Sequence, residues 1–351
     1  MNRGLWEILK KDKLAMLGFW IFLAFFITAV AGAILTSGRH PIFNPSMIRL
    51  EEKLKPPFSR ANKDVLSPEQ IPPFGIYIFG TDELGRDVFS RMLQGAWVSL
   101  TVGFVAVGIS VVIGIVVGGI AGFFGDRYIC VYHILATVFA ISSPFLFIKY
   151  GWLGLIPIFC FILCIKMKVY PVLRHKVIMI DTIITGIIDI MLCFPSFFLI
   201  LTIVAFIPGS IFSIMAVIGL TSWMGTARFV RAEFLSLREQ DFVLAARVLG
   251  VSEFRIIFRH MLPNAIAPVL VSATLGIASA ILTEAGLSFL GFGVPPPHAT
   301  WGNILADGKQ YLFDAPWLTF IPGIAILVVV LSFNLFGEGL RDALNPRLRQ
   351  R

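Results

Sequence analysis

Residues Ala96–Phe124 read AWVSLTVGFVAVGISVVIGIVVGGIAGFF, 29 successive positions without one charged side chain. A helix needs roughly 20 apolar residues to cross about 30 Å of hydrocarbon. Inside hydrocarbon each backbone N–H and C=O must be satisfied within its own element, which leaves helices and closed barrels. The run does not alternate apolar and polar residues as a barrel strand does. It therefore reads as a membrane-spanning helix. Gly114 and Gly118 stand at the small-xxx-small spacing that lets helix backbones approach.

Seven further apolar runs lie outward from it: Met16–Ser37, Tyr128–Ile148, Gly151–Ile165, Ile183–Ile207, Ile211–Thr226, Ala265–Phe292 and Trp317–Phe336. The chain is 57% hydrophobic and 14% charged. The expected fold is an all-α polytopic membrane bundle of about eight transmembrane helices. Gly151–Ile165 is short, and suits a re-entrant segment as well as a full crossing. Ala29-Val30-Ala31 after Lys10, Lys11 and Lys13 is similar to a signal-peptide cleavage site, but the apolar stretch exceeds the usual 7–15 residues, so an uncleaved first span is expected.

Between the first two spans, Gly38–Leu93 carries seven prolines among mixed charges and is expected to form an extracytoplasmic loop or small lobe. The organisation is then 1–37 as N-terminus and first helix, 38–93 as loop, and 94–351 as the main transmembrane domain. Arg127, the Lys166–Lys176 loop, the Arg228–Arg259 segment and the basic tail fall on one side of the membrane with the N-terminus. The positive-inside rule makes that side cytoplasmic, with both termini there. The net charge of +8 is spread over these short segments with no single basic face, so a lipid bilayer explains it and a nucleic acid does not.

The stretch Arg228–Met261 interrupts the apolar pattern. Arg228, Arg231, Arg238, Arg247, Arg255 and Arg259 alternate with apolar residues at helical spacing, as in a water-facing amphipathic segment. Taken by itself, such a segment suits lipid head groups as well as a protein groove. Within it, Ala245 and Ala246 permit close approach, Gly250 permits a turn between two helical pieces, and Leu262-Pro263 marks entry to the next span.

Ala245, Ala246, Gly250, Leu262 and Pro263 stand at the spacing of the coupling loop of binding-protein-dependent ABC importer permeases. Phe79–Asp87 (FGTDELGRD), Thr283–Gly291 (TEAGLSFLG) and Phe333–Asp342 (FNLFGEGLRD) resemble the C-type permease of dipeptide, oligopeptide and nickel importers. The resemblance covers most of the chain except about 127–181. It implies a six-helix plan, to which the hairpin at about 128–165 is an insertion, acting as a peripheral packing element or as a docking site. It also implies an ATPase-coupling loop at about 228–263 in which Ala245, Ala246, Gly250, Val251, Ser252, Glu253, Leu262 and Pro263 take part. The implied partners are a homologous B-type permease subunit, two ATPase subunits and an extracytoplasmic substrate-binding protein, in the inner membrane of a bacterium. Leu244 occupies the place of the loop's usual glutamate, for which Glu239, Asp241 and Glu253 are substitute acids.

No Gly-x-x-x-x-Gly-Lys-[Ser/Thr] loop is present; the resemblance implies that ATP and Mg belong to partner subunits, and no cofactor, metal site or catalytic residue is expected in this chain. His40, His133, His175, His260 and His298 are scattered, which disfavours an embedded enzyme. Cys130, Cys160, Cys164 and Cys193 lie in apolar stretches and read as free buried thiols. Intramembrane ionisable groups are functional candidates by default. Asp189 and Glu284, with Asn334, are therefore candidates for the pathway or for interhelical packing. A secondary transporter would need internal repeats and paired broken helices, which are not evident. Dipeptides, longer peptides and nickel chelates all remain open as substrates.

Overall fold

The computed structural model describes residues 2–38, 41–130 and 176–344. Most of the expected hairpin at 128–165, with Cys160, Cys164, His133, His175, Lys166, Lys168, Arg174 and the end of the basic tail, lies outside the described residues. Among the described residues, five helices are long and apolar enough to cross a membrane, or six if the broken pair Ile180–Cys193 and Ser196–Phe206 is one span. The chain divides into two compact units.

The first unit comprises Met1–Ile115, Phe194–Val230 and Leu262–Arg351. Helix α1 (Asn2–Lys11) precedes α2 (Lys13–Thr36), whose start is fixed by Asp12, a side-chain acceptor for the N–H groups of Leu14 at 2.9 Å and Ala15 at 3.1 Å. Helix α3 (Val88–Phe124) contributes its first three quarters here, with α5 (Ser196–Phe206), α6 (Ile211–Thr221), α9 (Leu262–Phe289), α10 (Trp301–Gly308) and α11 (Trp317–Leu344). The apolar core is built from Val102, Ala106, Ile214, Ile281, Leu318 and Val329 and their neighbours. Helix α2 closes on α11 through small residues: a Cβ on Gly339 would stand 2.1 Å from Ala15 Cβ, and one on Gly18 2.7 Å from the Ser332 carbonyl oxygen.

Residues 41–87 form a small lobe, as the prolines imply. It holds the two-residue antiparallel strands β1 (Ser59–Arg60) and β2 (Ile76–Tyr77) and a cluster of Ala61, Leu66 and Tyr77. Its end is tied by Asp82, which is fully buried and accepts from the N–H groups of Leu84 (2.9 Å) and Arg86 (2.8 Å), from Arg86 Nε (2.6 Å) and from Arg91 Nη1 (2.5 Å). Arg86 and Arg91 also reach Asp307 of α10, at 3.2 and 2.9 Å. Asp87 caps α3 by accepting from the Ser90 N–H and hydroxyl, while burial pushes its carboxyl above the usual range. Gly85, at φ +70, closes the turn: a Cβ there would lie 1.8 Å from the Arg49 carbonyl oxygen.

The second unit comprises Val116–Cys193 and Arg231–Met261. It holds the end of α3, the antiparallel ribbon β3 (Tyr128–Cys130) with β4 (Lys176–Met179), α4 (Ile180–Cys193), the last part of α7 (Trp223–Arg238) and α8 (Asp241–Val248).

Several expectations change. Helix α3 begins at Val88, inside the stretch assigned to the loop, because Asp87 caps it and the polar residues of its first turns are buried against partners. Tyr128–Cys130 is a strand rather than the start of a span, being paired with Lys176–Met179. The run Ile183–Ile207 is two helices parted at Phe194-Pro195, where the proline has no N–H to continue the ladder. Cys193 is a free thiol but exposed, since it ends α4 at that break. Asp82→Ala leaves the Arg91 guanidinium buried without its nearest carboxylate. It is expected to cost about 3–5 kcal/mol, read as a lowered melting temperature of the purified protein in detergent.

Candidate functional site

The segment singled out by the sequence folds as α7, α8, a single turn Glu253–Arg255 and a π turn Ile256–Met261, which leads into α9 at Leu262. Helix α8 ends in a Schellman motif: the Gly250 N–H donates to the Arg247 carbonyl and the Val251 N–H to the Ala246 carbonyl, both at 3.0 Å. Gly250 sits at φ +73, the left-handed conformation this motif requires. Ser252 occupies the cap position of the following turn, where Glu253 stands first. Pro263 cannot donate to the carbonyl four residues earlier, and the helix adopts its π turn immediately before it.

Helix α8 has two faces. Val243 and Ala246 point inward, fully buried and 6% exposed respectively. Phe242, Leu244, Ala245, Val248 and Leu249 are exposed, Val248 at 87% and Leu249 at 81%. Phe254 and Phe258 add two exposed rings 4.4 Å apart. Together they form an exposed apolar tip.

The inner face is anchored to the end of α3. The Arg247 guanidinium lies 5.1 Å from the centre of the Phe123 ring, Arg127 pairs with Glu253, and Arg238 pairs with Asp126 at 2.8 Å. Arg231 grips Asp181 with two bonds, Nε to Oδ1 and Nη2 to Oδ2, each 2.5 Å. These groups surround a cavity of about 420 Å³ lined by Phe123, Arg127, Arg238, Arg247, Val251 and Glu253. Of the substitute acids, Glu253 is held by Arg127 and Glu239 by Arg238, while Asp241 stands in the first turn of α8.

The other sequence candidates are on other helices. Glu284 is fully buried on α9, accepts from the Ser288 hydroxyl at 2.7 Å and faces the hydroxyls of Ser99 and Thr300. Asn334 is half-buried on α11, and Asp189 is exposed on α4. Sequence reading missed Asp126, Asp181 and the Asp82–Asp307 cluster. Asp82 and Arg86 are four residues apart, a visible pairing signal, whereas Arg91 and Asp307 are far apart in the chain.

The sequence profile described as "Binding-protein-dependent transport system inner membrane component" matches residues 170–350, more than half of the chain. The chain belongs to this family. A second profile, the N-terminal TM domain of oligopeptide transport permease C, matches residues 3–57 of the permease. Its relatives include the dipeptide transport system permease protein DppC of Alkalihalophilus pseudofirmus, 35% identical over 99% of this chain and 90% of that protein. The oligopeptide transport system permease protein OppC of Bacillus subtilis is 32% identical, covering 97% and 88%. A putative peptide transport system permease protein of Brucella suis is 37% identical, covering 79% and 76%. The permease is thus an integral membrane protein of several helical spans. Gly250→Ala forces a Cβ into the left-handed region and is expected to destabilise the turn by about 1–2 kcal/mol. Amide hydrogen exchange across Asp241–Glu253 should quicken while that of α11 stays unchanged.

Proposed function

We propose that this permease is one of the two membrane subunits of an ATP-driven importer, that it carries peptides, and that α8 is its contact with the ATPase. The observation that carries the reading is the two-faced α8: its inner residues and closing turn are fixed, while Val248 and Leu249 stand free at an apolar tip. A short rigid helix presenting such a tip fits a groove on a soluble partner.

A B-type permease subunit completes the pathway, two ATPase subunits bind ATP and Mg and grip the coupling segments, and an extracytoplasmic binding protein delivers the solute. ATP binding draws the coupling segments together and turns the cavity outward; hydrolysis resets it, an alternation between two states each favoured by a different partner. In this arrangement both termini and α8 face the cytosol, and the lobe at 41–87 faces outward. The chain itself is not an enzyme. The names of the relatives support peptides as cargo; a nickel chelate is the alternative within the same family.

Val248→Asp and Leu249→Asp place a charge on side chains that are 87% and 81% exposed among the described residues, so the fold is expected to be retained. They are the sharper probes, because charge at Ala246 disturbs the chain's own packing and a side chain at Gly250 strains the closing turn. Peptide uptake by the assembled importer in liposomes is expected to fall at least about tenfold, as when a central apolar contact of an interface is lost. Wild-type uptake by both variants contradicts the assignment. Uptake by the purified chain alone makes it an ATP-independent transporter.

A further inference from the structure

Gly122, Phe123, Asp126 and Arg127, in the last turn of α3 and just after it, each meet α7, α8 or the turn that follows α8. We propose that this turn receives the motion of α8, and that the Asp181–Arg231 clamp is the positioning element that holds α7 against it. The proposal rests on the importer reading and adds to it the route by which the stroke enters the membrane helices.

Arg231, Phe234 and Arg238 of α7 fall at i, i+3 and i+7, a single stripe along the helix. Each part of the stripe finds the end of α3. Phe234 is fully buried against Gly122, where a Cβ would lie 2.5 Å from Phe234 Cβ and 2.8 Å from the Arg231 carbonyl oxygen. Arg238 reaches Asp126 at 2.8 Å. Arg231 reaches Asp181, and Asp181 is itself pinned to the same turn: its N–H donates to the Gly125 carbonyl at 3.3 Å, and the neighbouring Ile180 N–H donates to the Arg127 carbonyl at 3.0 Å. On the far side of α8, Arg247 covers Phe123 and Glu253 pairs with Arg127. Contacts from α7, from Asp181 and from the C-terminal side of α8 therefore converge on the stretch Gly122–Arg127, so that motion of α8 bears on that turn.

The clamp contributes alignment rather than stability. Its side chains are 28% and 25% exposed, and a pair that still reaches water adds only modestly to folding. Two parallel bonds from a planar guanidinium fix orientation as well as distance, which a lysine cannot do.

The test uses the assembled importer in liposomes with L-alanyl-L-alanine as the probe, and reads dipeptide moved per ATP hydrolysed together with the melting temperature of the complex. Asp181→Asn keeps the shape and removes the charge. It is expected to lower the dipeptide moved per ATP about tenfold, with ATP turnover and melting temperature close to wild type, as for the loss of an ordinary coupling energy. Asp181→Glu restores most of the ratio. Arg231→Lys carries the same expectation and stands in for Asp181→Asn if that variant does not assemble. An unchanged ratio in these variants overturns the proposal, as does a ratio that falls only in step with the amount of complex surviving. A wild-type assembly that hydrolyses no ATP and moves neither a peptide nor a nickel chelate instead overturns the importer reading itself.

Discussion

Hydrocarbon offers no hydrogen-bond partner, and this constraint organises the chain. Long apolar helices follow from it directly, because only they satisfy their own backbone. The polar chemistry is then displaced to their ends. At one end of α3, Asp82, Arg86, Arg91 and Asp307 neutralise one another. At the other, Asp126, Arg127, Asp181, Arg231, Arg238 and Glu253 do the same. Glu284, within α9, is buried among hydroxyls on its own helix and its neighbours.

The two charged ends differ in kind. The Asp82 cluster knits a proline-rich lobe to α3 and α10, and its central pair of Asp82 and Arg91 is closed off from water, so that losing one partner strands the other. The pairs around α8 are open to water and weak as stabilisers, yet they are directional. Weak, oriented contacts beside an exposed apolar tip suit an element that must be held in place and still move.

Much of this was legible in the sequence. The spans α2, α3, α9 and α11 follow from unbroken apolar runs, and the spacing of Ala245, Ala246, Gly250 and Pro263 placed the segment around α8 before any geometry. Gly250 was recognisable as a turn because only glycine takes a left-handed backbone at little cost. What was not legible has physical reasons. Tyr128–Cys130 is apolar enough to extend a span, and only its pairing with residues nearly 50 positions later makes it a strand. Pro195 was visible, but the hydropathy on either side of it continues unbroken. Helix α10 carries a capping box at Thr300 and Asn303 that a local reading should have caught. The clamp of Asp181 and Arg231, 50 residues apart, leaves no local trace.

The central claim is that α8 is gripped from the cytosol by a separate ATPase. Its most direct test is labelling of Val248→Cys, in an otherwise cysteine-free chain, by a membrane-impermeant thiol reagent. Labelling in inverted vesicles but not in right-side-out ones, and its loss when the ATPase subunits are bound, is the outcome expected. Labelling from the extracytoplasmic side, or equal labelling with and without the ATPase, contradicts the account.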